Sequence, residues 1–145
     1  MLLVDWRLEL INLLIFGALD NKTGNTIAVL GNGIFKDVVY PKENLKIYEK
    51  ILEDGGLVVS EYSYFSKPVS YHFPERNRIL SGLSNKIIVV EAGRKSGTLI
   101  TVEYALEQGK EVYAVPGNIN KYNSLGTNKL IQEGAIPLLT YKDVF

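Results

Sequence analysis

The residues of this chain best suited to chemistry are arginines, glycines and small hydroxyl residues, gathered in a few short clusters. Gly93-Arg94-Lys95-Ser96-Gly97-Thr98 sets two cations among small residues just before a helical pattern. The first N–H groups of a helix have no partner within it, so a loop of this composition makes an anion cradle. It is not a Walker A loop, because the Gly-x4-Gly-Lys-Ser/Thr order is absent. The alternative is that Ser96 or Thr98 simply caps the helix. Gly31-Asn32-Gly33 allows a sharp turn and a close backbone approach to a ligand. The dinucleotide fingerprint would need a third glycine where Lys36 stands, so a plain tight turn is the alternative here.

Phe73-Pro74-Glu75-Arg76-Asn77-Arg78 starts another helical pattern, with Pro74 presetting its first turn. Arg76 and Arg78 diverge by roughly 200° on a helix, so they cannot share one phosphate. One faces a ligand while the other braces the loop, and Asn77 can bond a backbone group or a phosphate oxygen. An arginine at a helix start opposes the macrodipole, which asks for a local reason. Upstream, the segment from Tyr62 to Phe73 holds Tyr62, Tyr64, Phe65, Tyr71 and Phe73 beside Lys67 and His72. Aromatic rings beside cations suit base stacking, for which Tyr64, Phe65, Tyr71 and Phe73 are the candidates. The competing reading is that these rings cap the core.

Composition narrows the choices. The chain has 145 residues, no cysteine, one histidine, and 16 basic against 16 acidic side chains. Without cysteine there is no disulfide, thiolate metal site or cysteine nucleophile. The lone His72 argues against a His-rich zinc site and a Ser-His-Asp triad. No metal site is expected. From Ser60 to Thr101 there are six cations (Lys67, Arg76, Arg78, Lys86, Arg94, Lys95) and three acids (Glu61, Glu75, Glu91), giving +3 there and −3 in the remainder. A neutral chain with a positive edge can hold a polyanion in a salt-sensitive way. The longest apolar stretch, Leu10 to Leu19, is too short to span a membrane and contains Asn12. The acidic start lacks the basic n-region of a signal peptide, and the protein is read as cytoplasmic.

The elements that must position these clusters alternate. Strands are expected at Thr26 to Leu30, Leu57 to Ser60, Lys86 to Val90, Glu111 to Val115 and Ile136 to Leu139. Most read as apolar runs, as in strands buried on both faces of a parallel sheet. Helices are expected at Asp5 to Leu19, Glu43 to Asp54, Arg76 to Leu83, Gly97 to Gln108 and Gly126 to Gln132, several stopped by glycine. The alternation implies right-handed crossovers and an α/β, Rossmann-like three-layer α/β/α domain with a mostly parallel sheet. One domain over residues 1–145 is expected, with an atypical N-terminal helix in residues 1–16. Ligands of such sheets bind at the carboxyl ends of the strands. Every cluster above follows a strand, as do Val115-Pro116-Gly117-Asn118 and Ser124-Leu125-Gly126-Thr127-Asn128.

Taken in order, these pieces resemble one family. They are Gly31-Asn32-Gly33, Tyr40-Pro41-x-x-Asn44, Ser60-Glu61, Phe73-Pro74-x-Arg76-Asn77-Arg78-Ile79, Ser81-Gly82-Leu83-Ser84, Val89-Val90-Glu91-Ala92, Ser96-Gly97-Thr98-Leu99-Ile100-Thr101, Ala114-Val115-Pro116-Gly117 and Gly126-Thr127-Asn128-x-Leu130-Ile131-x-x-Gly134-Ala135. The set is similar to the DprA/Smf DNA-processing family, from about Gly17 to Ala135. The resemblance implies an extended Rossmann fold, a homodimer, single-stranded DNA held in a positive pocket, and loading of the RecA recombinase during natural transformation. It implies no enzymatic activity. By position it makes Arg76, Asn77 and Arg78, the loop Arg94, Lys95, Ser96, Gly97 and Thr98, and the turn Gly31 and Gly33 the DNA contacts. The family's earlier strand-helix-strand unit, with its Gly-Ser-Arg loop and Ser-Gly-x-Ala-x-Gly-Ile-Asp motif, is not matched before Gly17-Ala18-Leu19. A truncated member lacking that unit is therefore expected.

Two other readings compete. Nucleotide phosphoribohydrolases of a neighbouring Rossmann-like family use Pro-Gly-Gly-x-Gly-Thr-x-x-Glu. Here Gly97-Thr98 is followed by glutamate at Glu103, two residues late, with Lys95-Ser96 in place of the double glycine. The third reading is an inactive remnant that keeps the fold.

Overall fold

In the computed structural model the described residues are 26–144. The expected helix from Asp5 to Leu19 lies outside them. By backbone contacts the chain falls into two compact units, and the described parts of these are residues 26–76 and 77–144.

In residues 26–76, strand β1 (Ile27–Leu30) pairs in parallel with β2 (Leu57–Ser60). The register sets Ile27 opposite Leu57 and Leu30 opposite Ser60. Helix α1 (Leu45–Glu53) connects them. Its Ile47 and Ile51, one turn apart, are buried against Ala28 and Val58. A 3-10 turn (Lys42–Asn44) precedes the helix, where the sequence suggested helix from Glu43. Gly55, with φ of 78°, reverses the chain after it, a conformation that suits a residue without a β-carbon.

Residues 77–144 hold a three-stranded parallel sheet in the order β3 (Lys86–Val89), β4 (Glu111–Ala114), β5 (Ile136–Pro137). Helices α3 (Gly97–Glu107) and α4 (Leu125–Gln132) pack on β4. The core is Ile87, Val89, Ala92, Val102, Ala105, Val112, Ala114 and Leu130. Strands β3 and β4 hold the buried Ile87, Val89, Val112 and Ala114, whereas β2, also expected to be buried on both faces, has Leu57 exposed and its other residues half-buried. Expected ends differ by a residue or so because pairing fades there. Val115 N–H still bonds the Val89 carbonyl at 2.9 Å, and Leu138 N–H the Ala114 carbonyl at 2.9 Å. Pro137 has no N–H to extend β5.

Helix α2 (His72–Leu83) begins four residues before the expected start at Arg76. Pro74 is no obstacle, because the first four N–H groups of a helix need no intrahelical partner. The shift moves Arg76 and Arg78 past the first turn, where the macrodipole's effect has fallen off. All strand pairs among the described residues are parallel, in a two-stranded and a three-stranded sheet rather than one hydrogen-bonded sheet. The architecture is α/β and Rossmann-like.

Candidate functional site

In residues 26–76 the clusters converge on the turn after β1. Asn32 is 1% exposed. Its Nδ2 donates to the Val38 and Gly33 carbonyls, each at 2.9 Å. Its own carbonyl accepts the Ser60 hydroxyl at 2.6 Å, and Ser60 Oγ in turn accepts the Tyr62 N–H at 3.0 Å. The ends of β1 and β2 are thereby tied together. A β-carbon on Gly31 would lie 2.9 Å from Phe73 Cδ1. One on Gly33 would run into the Ser63 and Tyr64 carbonyls. Both glycines therefore fit this chain's own aromatic loop, the tight-turn alternative in physical form.

His72 is buried beside them. Its ring stacks on Tyr62 at 3.7 Å, with Tyr71 edge-on at 4.7 Å. Nδ1 lies 3.2 Å from the Gly31 carbonyl, which can only accept, so Nδ1 carries a proton. Arg76 is 6% exposed and donates from Nη1 to the Val29 carbonyl. Burial pushes its pKa down to about 10, against a weaker upward pull from Tyr62. It stays charged at neutral pH, held within the fold and 6.0 Å from the centre of the Phe73 ring. Tyr64 and Phe65 are more open, grouped with Phe35 at centroid distances of 4.8 to 5.5 Å. Phe65 is 67% exposed and Tyr71 60%. Phe73 is half-buried between Gly31 and Tyr40.

In residues 77–144 a second group forms around the start of α3. Ser96 is the N-cap, its Oγ accepting the Thr98 N–H at 3.2 Å. The capping alternative is thus realised, and Thr98 itself is 3% exposed. Asn77 Nδ2 donates to the Gly97 carbonyl at 3.4 Å. Gly97 has open space where a β-carbon would stand. Arg94 and Lys95 are exposed and have no ion pair among the described residues. Two unpaired cations at the positive end of a helix leave local charge that an anion would balance. Arg78 is exposed, and its carbonyl accepts Gln108 Nε2 at 3.3 Å. The two arginines of α2 therefore differ, Arg76 buried and Arg78 exposed.

Sequence reasoning passed over Tyr122, and placed Asn128 on the ligand edge only as part of a small-residue helix opening. Asn128 grips the Gly117 peptide at both ends: Oδ1 accepts its N–H at 3.0 Å and Nδ2 donates to its carbonyl at 2.9 Å. Tyr122 lies across Gly93, where a β-carbon would collide with its ring. Its position in a run of polar residues, Asn118 to Ser124, was the available signal. Glu103 is exposed whereas Thr98 is buried, five residues and about 140° around the helix. The hydrolase glutamate therefore has no counterpart on the Thr98 face. Among the described residues no group of three or more acidic, histidine or cysteine side chains could hold a metal. Nor is any helix there long and apolar enough to cross a membrane.

Comparison with known proteins adds to this. The sequence model for DNA recombination-mediator protein A matches residues 14–145. Protein Smf of Escherichia coli K12 is 48% identical over 78% of this chain and 30% of its own length. The DNA processing protein DprA of Streptococcus pneumoniae R6 is 48% identical over 83% of this chain and 42% of its own. The chain thus spans less than half of either relative. The crystal structure of S. pneumoniae DprA superposes with a TM-score of 0.80 at 45% identity, over 90% of this chain and 44% of that one. DNA processing protein A of Helicobacter pylori, solved for its single-stranded DNA binding mode, gives 0.73 at 29% identity, over 84% and 55%.

Proposed function

Because the chain belongs to the DNA recombination-mediator protein A family, we propose that it binds single-stranded DNA. The observation that carries this is the Gly93 to Thr98 loop, where exposed, unpaired Arg94 and Lys95 stand at the positive end of α3. The H. pylori relative's single-stranded DNA binding mode supports the choice of ligand. In residues 77–144, Arg94 and Lys95 hold phosphates; in residues 26–76, the exposed rings Tyr64, Phe65 and Tyr71 are surfaces on which bases stack. Asn77, Arg78 and Gly97 complete the contacts, and Arg76 braces the turn after β1 from within. Phosphate contacts supply the affinity and make it fall with salt.

The same reading takes the protein as a non-catalytic, cytoplasmic homodimer acting in DNA uptake, with RecA as a partner. Family membership supports those finer points. Fluorescence anisotropy with labelled oligo-dT tests the central claim. Binding at low salt that weakens steeply as salt is added is the expected result. No binding at low salt would overturn it.

A further inference from the structure

Tyr122 is 60% exposed, yet it is held in place. The edge of its ring lies on Gly93, where a β-carbon would overlap Cε1 and sit 3.0 Å from Cζ. The next residue, Asn123, is fixed on both sides. Its carbonyl accepts the Ala92 N–H at 2.8 Å, and its Nδ2 donates to Glu91 at 3.2 Å. The Asn128 grip on Gly117 holds the far end of the segment. The ring is thus pre-positioned with much of its surface in water.

Its neighbours decide what it suits. Arg94 follows Gly93 directly, about 3.8 Å away between α-carbons, and Lys95 comes next. Both are exposed and unpaired among the described residues. Glu91, the nearby acid, is engaged by Asn123. A ligand with an apolar plane alone would not need the cations, and a bare anion would not need the ring. A nucleotide has both, a flat base joined to a phosphate.

We propose that Tyr122 stacks on a base of single-stranded DNA whose adjoining phosphate is held by Arg94 and Lys95. This is a base-binding position in residues 77–144, in addition to the rings of residues 62–73, and it rests on the DNA-binding reading above. The intact chain is bound to oligo-dT carrying 5-iododeoxyuridine, irradiated with near-ultraviolet light and digested with trypsin. Adducts are expected on the peptide of residues 122–129, whose single aromatic is Tyr122. Tyr122→Leu should weaken oligo-dT binding by about 5- to 150-fold, the range for losing one stacked base. It should leave binding to an abasic oligomer of equal length unchanged, and Tyr122→Phe should bind as the parent does. Adducts confined to residues 51–76, or parental oligo-dT affinity in Tyr122→Leu, would overturn this inference and leave DNA binding standing. If the parent chain itself failed to bind oligo-dT at low salt, both would fall.

Discussion

Replacing Arg94 and Lys95 together by glutamine removes two charges and nothing that holds the loop. The Ser96 cap on Thr98 and the Asn77 contact to Gly97 both survive. For single strands each phosphate contact contributes about 0.7 to the slope of log affinity against log salt. Losing two makes the slope shallower by about 1.4. Between about 50 and 200 mM salt, the double variant should lose about sevenfold less affinity than the parent. Its folding stability should stay within about 0.5 kcal/mol, as for exposed substitutions generally. Arg76→Gln is the contrasting case. Its guanidinium is buried on the Val29 carbonyl, so the loss should be one of stability, about 1–3 kcal/mol, with the salt slope retained. Anisotropy titrations at four salt concentrations and urea denaturation measure both quantities. A parental slope in the double variant would refute the phosphate assignment. A shallower slope in a fully stable Arg76→Gln would show that the wrong arginine had been chosen.

Three further outcomes follow from the geometry. Gly33→Ala should destabilise more than Gly31→Ala, since its β-carbon meets the backbone of Ser63 and Tyr64 rather than the Phe73 ring, which can shift. Overpacking costs about 1–3 kcal/mol, and denaturant midpoints will rank the two. Ser96→Ala should cost about 1 kcal/mol by removing the cap of α3, read by thermal unfolding. The Asp143 carboxylate accepts the Thr140 and Leu139 N–H groups, at 2.7 and 2.8 Å, which hold its pKa below the usual value. Stability linked to a depressed carboxylate is present above its unfolded pKa and lost as pH falls through the folded one. Amide protection at Leu139 and Thr140 should therefore fall with acidification below about pH 4, and Asp143→Asn should lack that transition in NMR exchange.

Much of the scaffold was legible because strands and helices leave local signatures. Leu57–Ser60 was found at both ends, bracketed by Gly55-Gly56 and Glu61. The α2 start was missed because His72-Phe73-Pro74 reads as loop unless one counts which helical N–H groups are dispensable. The two-sheet pairing was not legible, since it depends on backbone alignment over long sequence distances. At the site, the roughly 200° divergence of Arg76 and Arg78 placed them on different faces of the helix. It could not say which is buried, because that choice lies with the Val29 carbonyl. Tyr122 was invisible for a similar reason: the contact that fixes it is with Gly93, distant in sequence.

A side-chain amide closing on a peptide amide, as Asn128 does on Gly117, makes a two-point latch outside any strand or helix. With the latch shut, the exposed residues Asn118 to Lys121 can vary in composition with little cost to the core, while Tyr122 and Asn123 stay tied to Gly93, Ala92 and Glu91. Such a stretch is a surface on which selection can act without first having to rebuild the fold.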